Sequence, residues 1–196
     1  MKIGLYFGSF NPIHIGHLII ANHIVNNTEV DEVWFVVSPQ NPLKETSTLL
    51  NEQHRYSLVK IAIEDEKKLK ASNVEFSMPK PSYTIDTLIY LSEKYKQHHF
   101  TLIVGSDSYQ NFEKWKNYRQ IILNYNILIY PRPSFKIEGN LPETIKIINA
   151  PLIEISSTQI RKNIKTNKSI RYLVTDKVME EIDLKGYYKS KLENPT

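Results

Sequence analysis

Residues Gly8–His17 read GSFNPIHIGH and follow directly on the apolar run Ile3-Gly4-Leu5-Tyr6-Phe7. A strand-forming run that meets glycine, proline and two histidines, and then an apolar stretch with helical spacing, is a strand–turn–helix unit of an α/β sheet. In open sheets of this kind ligands sit beyond the carboxyl ends of the strands. A helix beginning there offers unpaired N–H groups and the positive end of its dipole to phosphate. Gly8 permits close backbone approach and a positive φ, Ser9 supplies a hydroxyl and Pro12 stiffens the turn. His14 and His17 lie three residues apart and share a face if the helix begins near Pro12. Gly16 removes a side chain between them and leaves room for a bulky ligand. Two plainer readings compete: the histidines are helix caps or partly buried side chains, or they form a metal pair, for which no third ligand is placed nearby.

Working outward, apolar β-rich runs alternate with helical patterns. Strands are predicted at Lys2–Phe7, Glu32–Val37, Phe100–Val104 and Asn126–Tyr130. The run VWFVV is almost wholly apolar, as a strand covered on both faces requires. Helices are predicted at Ile15–Asn26, Asn51–Glu66, Ile85–Tyr95, Ser157–Ile164 and Thr175–Asp183. In the first, Leu18, Ile19, Ala21, Asn22 and Val25 are taken as the inward face. Proline marks loops at Pro39–Ser47, Met78–Ser82 and Pro131–Pro142. The expectation is a Rossmann-like, doubly wound parallel α/β sheet in one domain over residues 1–196, with 156–190 as a helical C-terminal part.

Composition sets outer limits. A chain of 196 residues with 41% hydrophobic content can bury one sizeable core. No apolar run is long enough for a bilayer span. The first residues lack a charged n-region, a long h-region and a small-residue cleavage site, so no secretory signal is expected and the cytoplasm is the natural compartment. Zero cysteines exclude disulfides, thiolate metal sites and a cysteine nucleophile. The net charge of +4 mildly favours anionic partners, although a lysine-rich surface gives the same balance. Lys185–Lys191 with Tyr187 and Tyr188 is a small basic-aromatic tail, but no block of the kind that binds nucleic acid appears. His98 and His99 are expected to face solvent ahead of their strand. Neither G-x-x-x-x-G-K-[ST] nor G-x-G-x-x-G occurs, so a P-loop and a standard dinucleotide turn are both excluded.

A second segment, ISSTQIR at Ile155–Arg161, can complete a phosphate site from the far end of the chain. Read alone, it is also an ordinary capped helix with an exposed arginine. Together the two segments resemble the paired signatures G-x-F-x-P-x-H-x-G-H and [IS]-S-S-T-x-[IV]-R of the nucleotidylyltransferase superfamily. PSYTIDTL (Pro81–Leu88), GSDSYQNFEKW (Gly105–Trp115) and YPRP (Tyr130–Pro133) resemble, within it, the bacterial nicotinate-nucleotide adenylyltransferases. The resemblance runs from Lys2 to about Tyr187. Two departures are Asn11, where many members carry aspartate, and Pro42-Leu43-Lys44, where many carry Pro-His-Lys.

The resemblance implies the nucleotidylyltransferase fold. It also implies an enzyme of NAD biosynthesis that joins nicotinate mononucleotide to the AMP part of ATP. Gly8, Ser9, Phe10, His14, His17, Gly105, Asp107, Ser156, Ser157, Thr158 and Arg161 would bind ATP, with His14, His17 and Arg161 catalytic. Lys44, Tyr83, Thr84, Asp107, Trp115 and Arg132 would bind the mononucleotide. Four of them keep a plainer reading. Thr84 caps a helix, Trp115 anchors a helix to the core, Asp107 is an N-cap, and Arg132 is a loop cation between prolines. Mg2+ would arrive with ATP, and no protein ligand is assigned to it. Competing functions are another superfamily member, such as a phosphopantetheine adenylyltransferase or a cytidylyltransferase, and a tRNA-charging protein suggested by His14-Ile15-Gly16-His17. The chain lacks the lysine-rich second signature of the latter. The sequence settles neither the oligomeric state nor the choice between nicotinate and nicotinamide mononucleotide.

Overall fold

The computed structural model describes residues 1–40 and 49–189. Its strands are β1 (Lys2–Gly8), β2 (Glu32–Val37), β3 (Leu69–Ser72), β4 (His99–Gly105), β5 (Asn126–Tyr130) and β6 (Ile145–Ile147). They form one six-stranded sheet in the order β3-β2-β1-β4-β5-β6, with every neighbouring pair parallel. The order reverses between β1 and β4, so the crevice that binds ligands in such sheets opens past Gly8 and Gly105.

The helices are α1 (Ile15–Asn27), α2 (Glu52–Ala62), α3 (Thr84–Lys94), α4 (Ser106–Tyr109), α5 (Tyr118–Asn124), α6 (Ser157–Lys165) and α7 (Asp176–Lys185). On one face of the sheet Ile20 and Ile24 of α1, Leu58 of α2, Ile160 of α6 and Val178 of α7 pack on Val33, Phe35 and Ile103. On the other, Leu88 and Leu91 of α3 and Ile121 of α5 pack on Leu5, Val36, Leu102 and Ile129. Helices on both faces satisfy the doubly wound expectation, and β2 is buried from both sides as its apolar run requires. No helix among the described residues is long and apolar enough to cross a membrane.

The four expected strands agree with β1, β2, β4 and β5 to within a residue or so at their ends. The edge strands β3 (LKAS) and β6 (IKI) carry no apolar run and were not expected; short, polar strands are what sheet edges tolerate. Helix α2 stops at Ala62 rather than Glu66, beyond which the residues are largely charged. In α1 the inward stripe is Gly16, Ile20, Ala21, Ile24 and Val25. Leu18 and Ile19 are only half-buried and Asn22 is exposed, so the expected face was rotated from the true one.

Candidate active site

The turn after β1 places both histidines. Helix α1 begins at Ile15 rather than near Pro12, which makes His14 its N-cap and His17 its third residue. His17 Nδ1 accepts the His14 backbone N–H at 3.2 Å, the reciprocal arm of a capping box. That acceptance puts the proton of a neutral His17 on Nε2. The two imidazoles stack with centroids 3.6 Å apart. Phe10 and Tyr6 set their ring edges against His17 at 5.1 and 5.9 Å. The positive φ expected of Gly8 falls instead on Phe10, at 43°. Gly8 is needed for another reason: a Cβ there would come within 2.9 Å of the Phe10 ring. Gly16 lines the cleft beside the histidines, and it too must lack a side chain: a Cβ would meet Ile153 Cγ2 at 2.7 Å and the His14 ring at 3.1 Å.

The second segment docks on the first. Ser156 caps α6 by accepting from Gln159 N–H, and the Ser157 hydroxyl donates to the Pro12 carbonyl at 2.9 Å. Arg161 Nη1 donates to the Asn11 carbonyl at 2.8 Å, and its Nη2 lies 3.4 Å from Thr158 Oγ1. Two stretches from opposite ends of the chain are thus laced together at the helix ends. Asn11 in turn accepts from Leu50 N–H through Oδ1, a bond that aspartate could equally accept.

His14, His17 and Arg132 line one small cleft with Tyr6, Tyr130 and Ile153. Arg132 is held there by its N–H on Ser106 Oγ (2.9 Å) and by Nη1 on the Ile153 carbonyl (3.3 Å). Tyr6 and Tyr130 share a hydroxyl hydrogen bond of 3.0 Å across the floor, and burial pushes both phenols up, so they stay neutral. Gly105 lets Asp107 fold back beside Tyr130; a Cβ would lie 2.4 Å from Asp107 Oδ1. The Arg132 guanidinium and the N-terminal turn of α1 give this cleft a positive character.

Burial, helped by the Arg132 charge, lowers the His14 imidazole from 6.5 to about 4. Its Nδ1 is buried without a hydrogen-bond partner among the described residues. With the folded pKa depressed, the unfolded chain binds the proton more readily between those values. Stability therefore falls as pH drops from about 6.5 to about 4, by about 3 kcal/mol from this group. The melting temperature of the wild type is expected to decline over that window more steeply than that of His14→Gln; parallel curves would show that His14 is not the group responsible.

The residues expected to take the mononucleotide form a second group. Tyr83 is the N-cap of α3, so Thr84 is the first helical residue rather than the cap. Tyr83 and Trp115 both pack, half-buried, against the core beneath α3, and Trp115 lies 4.9 Å from the Phe112 ring. Lys116, not singled out from sequence, joins them: its Nζ sits 4.7 Å over the Tyr83 ring and 2.9 Å from Asp86. Lys44 lies outside the described residues. Arg132 stands apart from them, in the cleft of the histidines.

Arg55 of α2 escaped the sequence reading. It is fully buried and spends its guanidinium on the carbonyls of Ser9 (2.6 Å), Leu50 (2.7 Å), Ser38 (2.8 Å) and Pro39 (2.9 Å). No carboxylate forms a salt bridge with it among the described residues. Because its partners are main-chain atoms, nothing in the sequence around them marks the contact.

The cytidylyltransferase-like family is matched over residues 5–163. A Cytophaga hutchinsonii protein named "Probable nicotinate-nucleotide adenylyltransferase" is 52% identical over 194 residues, which is 97% of this chain and 100% of that protein. A protein of the same name from Flavobacterium psychrophilum is 50% identical over 192 residues, covering 96% and 100%. Among solved structures, Plasmodium falciparum nicotinic acid mononucleotide adenylyltransferase complexed with NaAD superposes with a TM-score of 0.82 at 24% identity, over 95% of this chain and 97% of that one. That last likeness is one of fold.

Proposed function

The chain belongs to the cytidylyltransferase-like family and, within it, to the nicotinate-nucleotide adenylyltransferases, and from that premise we propose that it joins nicotinate mononucleotide to the AMP moiety of ATP. The products are deamido-NAD and pyrophosphate. A phosphate oxygen of the mononucleotide, already ionised, attacks the α-phosphorus in line. The new P–O bond forms as the bond to the bridging oxygen breaks, and its electrons leave with pyrophosphate. No general base and no covalent enzyme intermediate is needed. The barrier lies in crowding anions and in charge moving onto the leaving group, so catalysis is positioning plus electrostatic stabilisation.

The chain's residues suit those tasks. His17 presents its Nε2 proton to the α-phosphate and follows it through the transition state. His14, at the helix N-terminus, receives the β- or γ-phosphate, whose charge would draw its pKa upward. Ser157, Thr158 and Arg161 bring the N-terminus of α6 and a delocalised cation to the leaving pyrophosphate. Gly8, Ser9, Phe10 and Ser156 shape the two loops. Arg132 balances the mononucleotide phosphate, and Asp107 reads a ribose hydroxyl. Tyr83, Thr84 and Trp115 receive the pyridine ring. Magnesium bound to ATP would neutralise phosphate charge while keeping several waters. Asp107 suits such waters, and no His, Asp and Glu cluster among the described residues forms a dedicated cage.

The observation that carries this reading is the lacing of α6 onto the histidine turn, through Ser157 to Pro12 and Arg161 to Asn11. It supports one triphosphate site built from both signatures. The test is pyrophosphate release with ATP and, in turn, nicotinate mononucleotide, nicotinamide mononucleotide, phosphopantetheine and glycerol 3-phosphate. Release is expected with nicotinate mononucleotide; release only with another acceptor overturns the assignment. Trp115→Ala is expected to raise KM for the mononucleotide about fivefold, the scale of one lost aromatic stack, and KM for ATP much less. Equal rises on both substrates would remove Trp115 from the ring pocket.

A further inference from the structure

Glu75 lies in a 3-10 turn, Val74–Ser77, and is only 2% exposed. Its carboxylate accepts the Ser82 hydroxyl at Oε2 (2.9 Å) and the Thr87 hydroxyl at Oε1 (2.8 Å). The Ser38 side chain lies close enough to favour its charged form. No lysine, arginine or histidine forms a salt bridge with it among the described residues, and burial raises its pKa. A buried carboxylate held only by hydroxyls is a poor stabiliser; an apolar side chain of similar volume would serve packing better. What it does is fix orientation.

The two bonded hydroxyls both belong to the start of α3. Ser82 immediately precedes Tyr83, the N-cap of α3, and Thr87 sits one turn into that helix. Ser38 follows β2, where its N–H donates to the Gly8 carbonyl (2.9 Å) and its carbonyl accepts from Arg55 (2.8 Å). Glu75 therefore clamps the start of α3 to the 3-10 turn that follows β3, with Ser38 at the end of β2 close beside it. Arg55 is its counterpart on the other side of Ser38, with the opposite charge and its own hold on Ser9.

We propose that Glu75 is a positioning residue for the mononucleotide: by gripping Ser82 and Thr87 it sets the Tyr83–Thr84 turn where the pyridine ring must dock, and so governs affinity for that substrate and not for ATP. This rests on the assignment of Tyr83 and Thr84 to the ring. Glu75→Gln keeps the volume but replaces one acceptor oxygen with a donor, so the two hydroxyls can no longer both donate to it and the pair must rearrange. It is expected to raise KM for nicotinate mononucleotide about five- to tenfold, with KM for ATP and saturated kcat within about twofold. Ser82→Ala, which leaves the carboxylate in place, is expected to move the same constant about threefold. Amide hydrogen exchange over residues 83–88 is expected to quicken in Glu75→Gln, while exchange in α1 stays unchanged.

Unchanged KM values, or equal rises for both substrates, overturn the proposal. So does wild-type protection of the first turn of α3, a readout that needs no substrate. If the wild type forms no deamido-NAD, the functional reading fails instead, and the exchange comparison still decides whether Glu75 holds the turn.

Discussion

His17→Ala is expected to lower kcat for deamido-NAD formation by about a hundredfold or more, the scale of losing a preorganised donor aimed at charge that develops in the transition state. The ring is held on every side that matters. His14 stacks on it at 3.6 Å, Phe10 and Tyr6 abut it, and its Nδ1 is bonded to the His14 N–H, so the donor proton is on Nε2. A donor fixed this way needs no reorganisation when the α-phosphorus becomes five-coordinate. Removing the ring also frees the cap, at a cost of about 1 kcal/mol to α1, so the variant should remain folded. The measurement is kcat at saturating ATP and nicotinate mononucleotide, with a melting curve beside it. A folded variant with wild-type kcat would reject the role given to His17. A rise in KM alone would make the ring a binding group that treats ground state and transition state alike.

What the sequence revealed about this site, and what it hid, follows from where the contacts are made. The turn after β1 was legible because strand, glycine, proline, histidines and helix are contiguous and each leaves a local signature. The starts of α6 and α7, expected at Ser157 and Thr175, were legible to within a residue because capping hydroxyls act within one turn; Ser156 and Thr175 are the caps, and both accept from the helix they precede. Contacts across the fold left no such trace. Ile153 fills the space above Gly16, so the residue that explains the glycine lies in a loop far along the chain. His98, expected in solvent, packs with its Nδ1 buried among Trp34, Tyr95 and Phe100. Tyr187 and Tyr188, read as part of a basic tail, pack on the core, and the Tyr187 hydroxyl meets His54 Nδ1 at 2.9 Å. Nothing in the sequence around Glu75 and Arg55 marks them as buried charges. Their burial depends on hydroxyls and carbonyls that only the assembled sheet brings within reach.

Arg55 carries the largest stability effect expected of a single side chain here. Its donors satisfy carbonyls of the turn after β1, the end of β2 and the residues leading into α2. Burial lowers its pKa, yet a guanidinium stays charged at any physiological pH. Arg55→Met would fill much of the volume and leave those carbonyls buried without donors. Each orphaned carbonyl costs about 1–3 kcal/mol, and relaxation makes the sum less than additive. A loss of about 3–5 kcal/mol is expected, read as a lower urea midpoint at constant slope. Arg55→Lys separates charge from geometry. An ammonium keeps the cation but cannot span three segments as the planar fork does, so it should recover only a small part of the loss. A lysine variant as stable as wild type would show that buried charge alone is sufficient. If the fork is what matters, both variants should also raise KM for ATP, because Ser9 and Ser38 would no longer fix the turn on which His14 and His17 stand.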